Sequence, residues 1–147
     1  MPPATLTSLT ELRSLYDPVR ERSAAKELPS LDVHARRFIA LSPLVVLATG
    51  GVDGMDASPR GGAPGFVQVV DDHTLLIADS PGNNRLDTLQ NILHTPQVGL
   101  LFLVPGVDET LRVNGTAVLS VDPADLRRCE DVRRVPKLVI RVTVQGS

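Results

Sequence analysis

The spacing of apolar residues changes period several times along the chain, and each change predicts an element. From Leu6 to Leu28, Leu9, Leu12, Leu15 and Val19 recur at helical spacing, broken at Asp17-Pro18. That pattern predicts one or two short surface helices, and residues 1–31 read as an N-terminal cover segment. Asp32 is placed to cap a helix over Val33–Leu41, with Val33, Phe38 and Leu41 on its apolar face and Pro43 ending it. Leu44–Thr49 reads as a buried strand that turns at Asp53-Gly54 and returns through Met55–Ser58. Pro59–Gly65 is a Gly/Pro-rich break. Phe66–Val70 and Thr74–Ala78, joined at Asp71-Asp72-His73, form a second hairpin.

After loop residues Ser80–Asn84, helical spacing returns at Leu86, Leu89, Ile92 and Leu93 and stops at Thr95-Pro96. Val98–Val104 is apolar without alternation, as in a strand covered on both faces. Beyond Pro105–Asp108 the period is two. Leu111, Val113, Gly115, Ala117, Leu119 and Val121 point one way, and Thr110, Arg112, Asn114, Thr116 and Ser120 the other. Asp122-Pro123 opens a charged helix through Arg134, and Leu138, Ile140, Val142 and Val144 alternate in a last strand. About seven strands with short connections predict a mainly β domain over residues 32–147, an antiparallel sheet closed into a small barrel with peripheral helices.

Composition narrows the function classes. A net charge of −2 without a basic run gives no electrostatic footprint for nucleic acid or anionic lipid. At 3% aromatic residues and no Trp, base-stacking platforms are excluded. The single cysteine, Cys129, forms no internal disulfide, no basic-then-apolar leader follows Met1, and no run nears the ~18 apolar residues of a membrane span. The expectation is a cytoplasmic protein.

Two polar clusters interrupt the apolar pattern. In Ser58-Pro59-Arg60-Gly61-Gly62, a hydroxyl, a guanidinium fork and backbone amides without side chains suit an anion's acceptor oxygens; a plain connection fits the same residues. In Gly82-Asn83-Asn84-Arg85-Leu86-Asp87, Asn84 as N-cap puts Asp87 at the third helical position and Arg85 in the first turn, where a cation opposes the helix dipole unless an anion binds there. A solvated Arg85, or one paired with Asp79 or Asp87, satisfies the same pattern. Arginines beside Cys129 would lower its pKa, although a lone half-exposed thiol needs no role. His34, His73 and His94 have no metal-ligand spacing, and no Gly-x-Ser-x-Gly elbow accompanies Ser58, so no metal and no hydrolysis are expected.

Taken in order, Asp56–Gly62 with Pro64–Val67, Gly82–Asp87 through Asn91–Leu93 and Pro96, Val98–Phe102, and Pro105-Gly106 with Glu109–Gly115 resemble the flavin-binding proteins related to pyridoxamine 5'-phosphate oxidase. The resemblance spans about His34 to Val144. It implies an antiparallel, Greek-key-like split β-barrel that dimerises and holds flavin mononucleotide (FMN) at the subunit interface. By position, Asn83, Asn84 and Arg85 stand where the oxidase has a Ser-Arg-Lys type phosphate clamp. Ser58 and Arg60 lie near the strand whose basic residue also serves the phosphate. Thr110, sharing its polar face with Arg112 and Asn114, takes the place of a ring-facing glutamine. The strand Thr74 to Asp79 would edge the isoalloxazine with backbone groups.

The chain departs from the oxidase in lacking the clamp lysine, the ring-facing glutamine and a C-terminal Arg/Pro/Trp-rich substrate segment, which argues against pyridoxamine phosphate as substrate. With the sequence ending just after a strand, the expectation is that relatives continue further or that a tail is missing here. The resemblance thus implies a homodimeric FMN-dependent oxidoreductase acting on a small molecule, with no side chain identified as catalytic. The alternative is a non-catalytic protein that stores or senses FMN, haem or a deazaflavin. Haem would need a histidine on the cofactor face, and the three histidines fall elsewhere.

Overall fold

The computed structural model describes residues 4–16, 28–79, 86–131 and 135–147. Seven antiparallel strands form one sheet: β1 (Leu44–Gly51), β2 (Gly54–Gly61), β3 (Gln68–Asp71), β4 (Thr74–Ala78), β5 (Gln97–Leu103), β6 (Thr110–Ser120) and β7 (Val139–Gly146). Their order is β2-β1-β5-β6-β7-β4-β3, so β2 and β3 are the two edges. Helices α1 (Leu9–Arg13), α2 (Val33–Leu41), α3 (Asp87–His94) and α4 (Pro123–Arg128) lie around it.

The inner face is the core. Val45 and Leu47 of β1, Leu100 and Phe102 of β5, Val113 of β6 and Val142 of β7 are fully or almost fully buried, each side chain stabilising by roughly 1.5–3 kcal/mol relative to exposure. Strand β6 alternates as its period predicts: Val113, Gly115 and Ala117 are buried while Thr110, Arg112 and Asn114 are exposed. Asp32 caps α2 by accepting from the Ala35 amide at 2.7 Å, and α2 buries Ala35, Phe38 and Ile39. The buried Ser42 hydroxyl donates towards the carbonyls of Leu44 (2.7 Å) and Leu103 (2.6 Å), fixing the exit of α2 on β1 and β5.

Five expectations are corrected. Val33 and Leu41, expected on the apolar face of α2, are exposed, and Ala35 and Ile39 are buried with Phe38 instead. Strand β2 does not stop at Ser58 but runs through Pro59 and Arg60 to Gly61, in register with Val46, Val45 and Leu44. A proline is tolerated there because an edge strand points alternate N–H groups away from its neighbour. Phe66 and Val67 are outside β3. Gly65, at φ +80°, donates to the Ser42 carbonyl and Phe66 to that of Ala63, which holds the segment as a turn. Strand β5 alternates: Val98, Leu100 and Phe102 are buried, whereas Gly99, Leu101 and Leu103 are half-buried on the outer face. Helix α4 ends at Arg128, with Cys129 as its C-cap.

At the N-terminus, α1 buries none of its residues, and Leu9, Leu12 and Leu15 are exposed. Residues 28–31 join the domain. Leu28 exchanges backbone hydrogen bonds with Ser147, and Leu31 is buried and donates to the Asp72 carbonyl. Among the described residues, no helix is long and apolar enough to cross a membrane.

Candidate functional site

Because β2 and β3 are unpaired edges, the curled sheet leaves a gap between them. A cavity of about 730 Å³ occupies it, lined by the end of β2, the turn that follows, Gln68 of β3, Asp79 after β4, and the chain at the end of α4. Its volume suits a small organic molecule.

Strand geometry determines which β2 side chains enter. Arg60 pairs with buried Val45 and Ser58 with buried Leu47, so both point inward, while Pro59 and Ala57 point out. The Arg60 side chain is 6% exposed. Its Nε donates to Ser58 Oγ at 3.3 Å, and Nη1 stands 3.9 Å from Asp79 Oδ1. Nη1 and Nη2 are buried without a hydrogen-bond partner. A buried donor left unmade costs about 1–3 kcal/mol, and more on a cation. The guanidinium is therefore held ready for an acceptor that the described residues do not supply.

The glycines behave differently from expectation. The Gly62 amide already donates to the Pro43 carbonyl at 3.0 Å, so it is not a free anion ligand. Its missing Cβ serves packing instead, since a Cβ there would lie 2.9 Å from the Phe66 side chain.

Ser58, Arg60 and Asp79 are brought together in this cavity. Asn83, Asn84 and Arg85 lie outside the described residues. The capping scheme built on them is corrected, because α3 begins at Asp87, with Leu86 at the N-cap and no side-chain cap bond, so Asp87 is the first helical residue and not the third. Asp87 faces a second cavity of about 420 Å³ that also carries Asp53, Asp56 and His94. Three carboxylates there disfavour a phosphate.

Thr110 and Arg112 stand elsewhere, on the outer face. Thr110 pairs with Leu103, Leu103 with Leu44 and Leu44 with Gly61. Three strand spacings put Thr110 roughly 14 Å from Gly61 across the sheet. Around Thr110 and Arg112 that face is apolar: half-buried Val46, Leu101 and Leu103, and exposed Ala57 and Pro59.

Sequence reasoning missed the cavity wall formed by Arg128, Cys129, Glu130 and Asp131. Helix α4 is fixed there from three sides. Asp122 caps its start by accepting from the Ala124 amide at 2.9 Å, and Asp125 accepts from Ser120 Oγ at 2.7 Å and pairs with Arg141 at 2.8 Å. Arg128 Nη2 donates to the Val69 carbonyl at 3.3 Å. Burial, then the Asp125 carboxylate, pushes the Cys129 thiol above its usual range, with Arg128 opposing weakly. The flanking arginines do not decide its ionisation, contrary to the sequence expectation. His34 is exposed beside Glu109 (3.4 Å), and His34, His73 and His94 are all absent from the Arg60 cavity. Among the described residues, no three or more His, Cys, Asp or Glu side chains are grouped to hold a metal ion.

Residues 31–146 match the family model described as pyridoxamine 5'-phosphate oxidase. Similar solved structures include a candidate pyridoxamine 5'-phosphate oxidase of Lactobacillus delbrueckii, with TM-score 0.63 and 20% identity over 81% of this chain and 93% of that one. HupZ of Group A Streptococcus gives TM-score 0.61 and 20% identity over 77% and 88% of the two chains. General Stress Protein 26 of Bacillus anthracis gives 0.55 and 18% over 76% and 90%. At these identities the likeness is one of fold. No curated protein sequence matches the chain.

Proposed function

Because the chain belongs to the pyridoxamine 5'-phosphate oxidase family, we propose that it is a homodimeric flavoprotein that binds FMN in the Arg60 cavity and uses it for redox chemistry on a small molecule. The observation that carries this reading is the pair of buried, unpartnered Arg60 nitrogens. Two coplanar N–H donors without an acceptor are the complement of a phosphate. Ser58, beside Arg60 on the inner face, adds a hydroxyl. FMN, when bound, would supply two-electron chemistry that no side chain here offers. The chain's part is to hold the phosphate, orient the ring and exclude water.

The dimer rests on the outer face. A sheet surface bearing Val46, Leu101 and Leu103 is left open to water in one chain, and a second copy would cover it. In that arrangement Thr110 and Arg112 belong to the partner's site rather than to their own chain's cavity.

The storage or sensing reading is favoured by one observation: burial and the Asp125 carboxylate hold the thiol on the cavity wall protonated. Steady-state NADH and NADPH oxidation by the flavin-loaded protein separates the two, turnover supporting the enzyme and its absence with both donors supporting the binder. FMN binding itself is tested by titrating FMN and riboflavin against the protein and following flavin fluorescence. One charge-assisted contact at about 1.5–3 kcal/mol predicts at least a tenfold preference for FMN. Equal affinities would remove the phosphate site.

A further inference from the structure

Helix α4 ends on the cavity, and its C-cap is the chain's one cysteine. Cys129 is half-buried and lines the same space as Arg60, whose two terminal nitrogens lack acceptors. A thiol alone would carry no inference. A thiol lining the same half-open cavity as a buried guanidinium with no hydrogen-bond acceptor does, because a group attached to its sulfur can lie along the wall within that volume. The surroundings hold the sulfur in place, through the Asp125–Arg141 pair, the Ser120 bond and the Arg128 bond to β3.

We infer that Cys129 is a modification site of the ligand cavity: thiol–disulfide exchange with a low-molecular-weight disulfide bearing carboxylates places an adduct where the phosphorylated ligand binds, with a carboxylate meeting Arg60. The inference rests on the reading of this cavity as the phosphate site and adds its regulation. In the exchange, the minor thiolate fraction that a raised pKa leaves reacts, its proton having gone to water, so the rate should climb with pH. The thiolate sulfur attacks one disulfide sulfur, the new S–S bond forms as the small molecule's breaks, and the departing thiolate carries away the electron pair and takes up a proton. The adduct closes the cavity, and a reducing thiol reopens it by the reverse exchange. Other charges face the same space. Asp79 stands 3.9 Å from Arg60, and Arg128, a second cation, is on the exposed rim with Glu130 and Asp131, so the Arg60 guanidinium's part must be read as a difference upon its removal.

The test uses the full chain and oxidised glutathione, followed by intact mass. With one cysteine in the sequence, a single-glutathione mass gain reports Cys129 alone. FMN at about ten times its Kd leaves roughly one chain in eleven open and should slow the exchange about tenfold. The isolated adduct should bind FMN at least tenfold more weakly, and dithiothreitol should restore binding. FMN that binds, by fluorescence, yet leaves the exchange rate unchanged overturns the inference while the flavin reading stands. If FMN does not bind at all, the flavin reading fails and the inference is decided by charge. The rate with oxidised glutathione relative to cystamine should then fall about two- to fivefold in Arg60→Met. An unchanged ratio would overturn it.

Discussion

Replacing Arg60 by methionine separates a residue kept for a ligand from one kept for the fold. In the ligand-free protein Arg60 has one weak side-chain bond, to Ser58 Oγ at 3.3 Å, and a loose approach to Asp79 at 3.9 Å, against two buried nitrogens with no partner. Each buried unmade donor costs about 1–3 kcal/mol, so Arg60→Met relieves two such costs, while taking a cation away from Asp79 works against the gain. The Ser58 bond gives back about 1 kcal/mol, and Asp79, with its side chain 22% exposed, gives up only a loose 3.9 Å approach. The net expectation for Arg60→Met is a gain of about 1–2 kcal/mol, or a Tm higher by roughly 2–8 °C for a chain of this size. Urea and thermal unfolding without ligand measure it. With FMN at about a hundred times the wild-type Kd, the wild type should gain about 2.7 kcal/mol and the variant, binding roughly 12- to 160-fold more weakly, about 0.3–1.3 kcal/mol, so the variant's lead shrinks by about 1.4–2.4 kcal/mol. A ligand-free variant less stable than wild type by more than about 1 kcal/mol would refute the reasoning, because Arg60 would then be serving the fold.

Three further outcomes follow from the packing and charges. Gly115→Ala would put a Cβ 2.1 Å from the Thr143 carbonyl oxygen, where β6 shifts register on β7, so urea unfolding should show a loss of about 2–3 kcal/mol or failure to fold. Asp125→Ala strips Arg141 and Ser120 of their shared acceptor and should cost about 2 kcal/mol in the same assay, while the Cys129 pKa, which Asp125 raises, should fall in the pH profile of thiol alkylation. The Asp71 carboxyl is held below its ordinary 3.8 mainly by the His73 amide and then by Thr74. A depressed carboxyl stabilises above its unfolded pKa and loses that effect as pH falls through the folded one, so Asp71→Asn should lower Tm at pH 7 and leave it unchanged near pH 2.

Much of the fold was legible because local rules agreed with tertiary demands. The seven strands, the Asp32 cap and the alternation of β6 follow from period and turn chemistry, and the Asp53-Gly54 turn uses a φ of +128° at Gly54. Where the reading slipped, the deciding contact was remote. Pro59 looks like a strand breaker until β2 is known to be an edge. Leu101 and Leu103 look like doubly covered core, because an unbroken apolar run does not tell which face the other elements cover, and here the outer face is only half-buried. Arg60 was marked by its neighbours in sequence, but its lack of acceptors depends on Asp79 and on the gap between β2 and β3. Cys129 carried one local signal, its neighbouring arginines, and that signal pointed to a lowered pKa and not to the cavity. Its place on the cavity wall is created by the bonds from Asp125 to Arg141 and from Arg128 to Val69.

The central claim, that Arg60 receives the phosphate of a bound flavin, is tested most directly by a crystal structure of the protein grown with FMN. The account predicts phosphate oxygens about 2.7–2.9 Å from Arg60 Nη1 or Nη2, with Ser58 Oγ also in contact. A phosphate seated elsewhere, with both Arg60 nitrogens still lacking an acceptor, would contradict it.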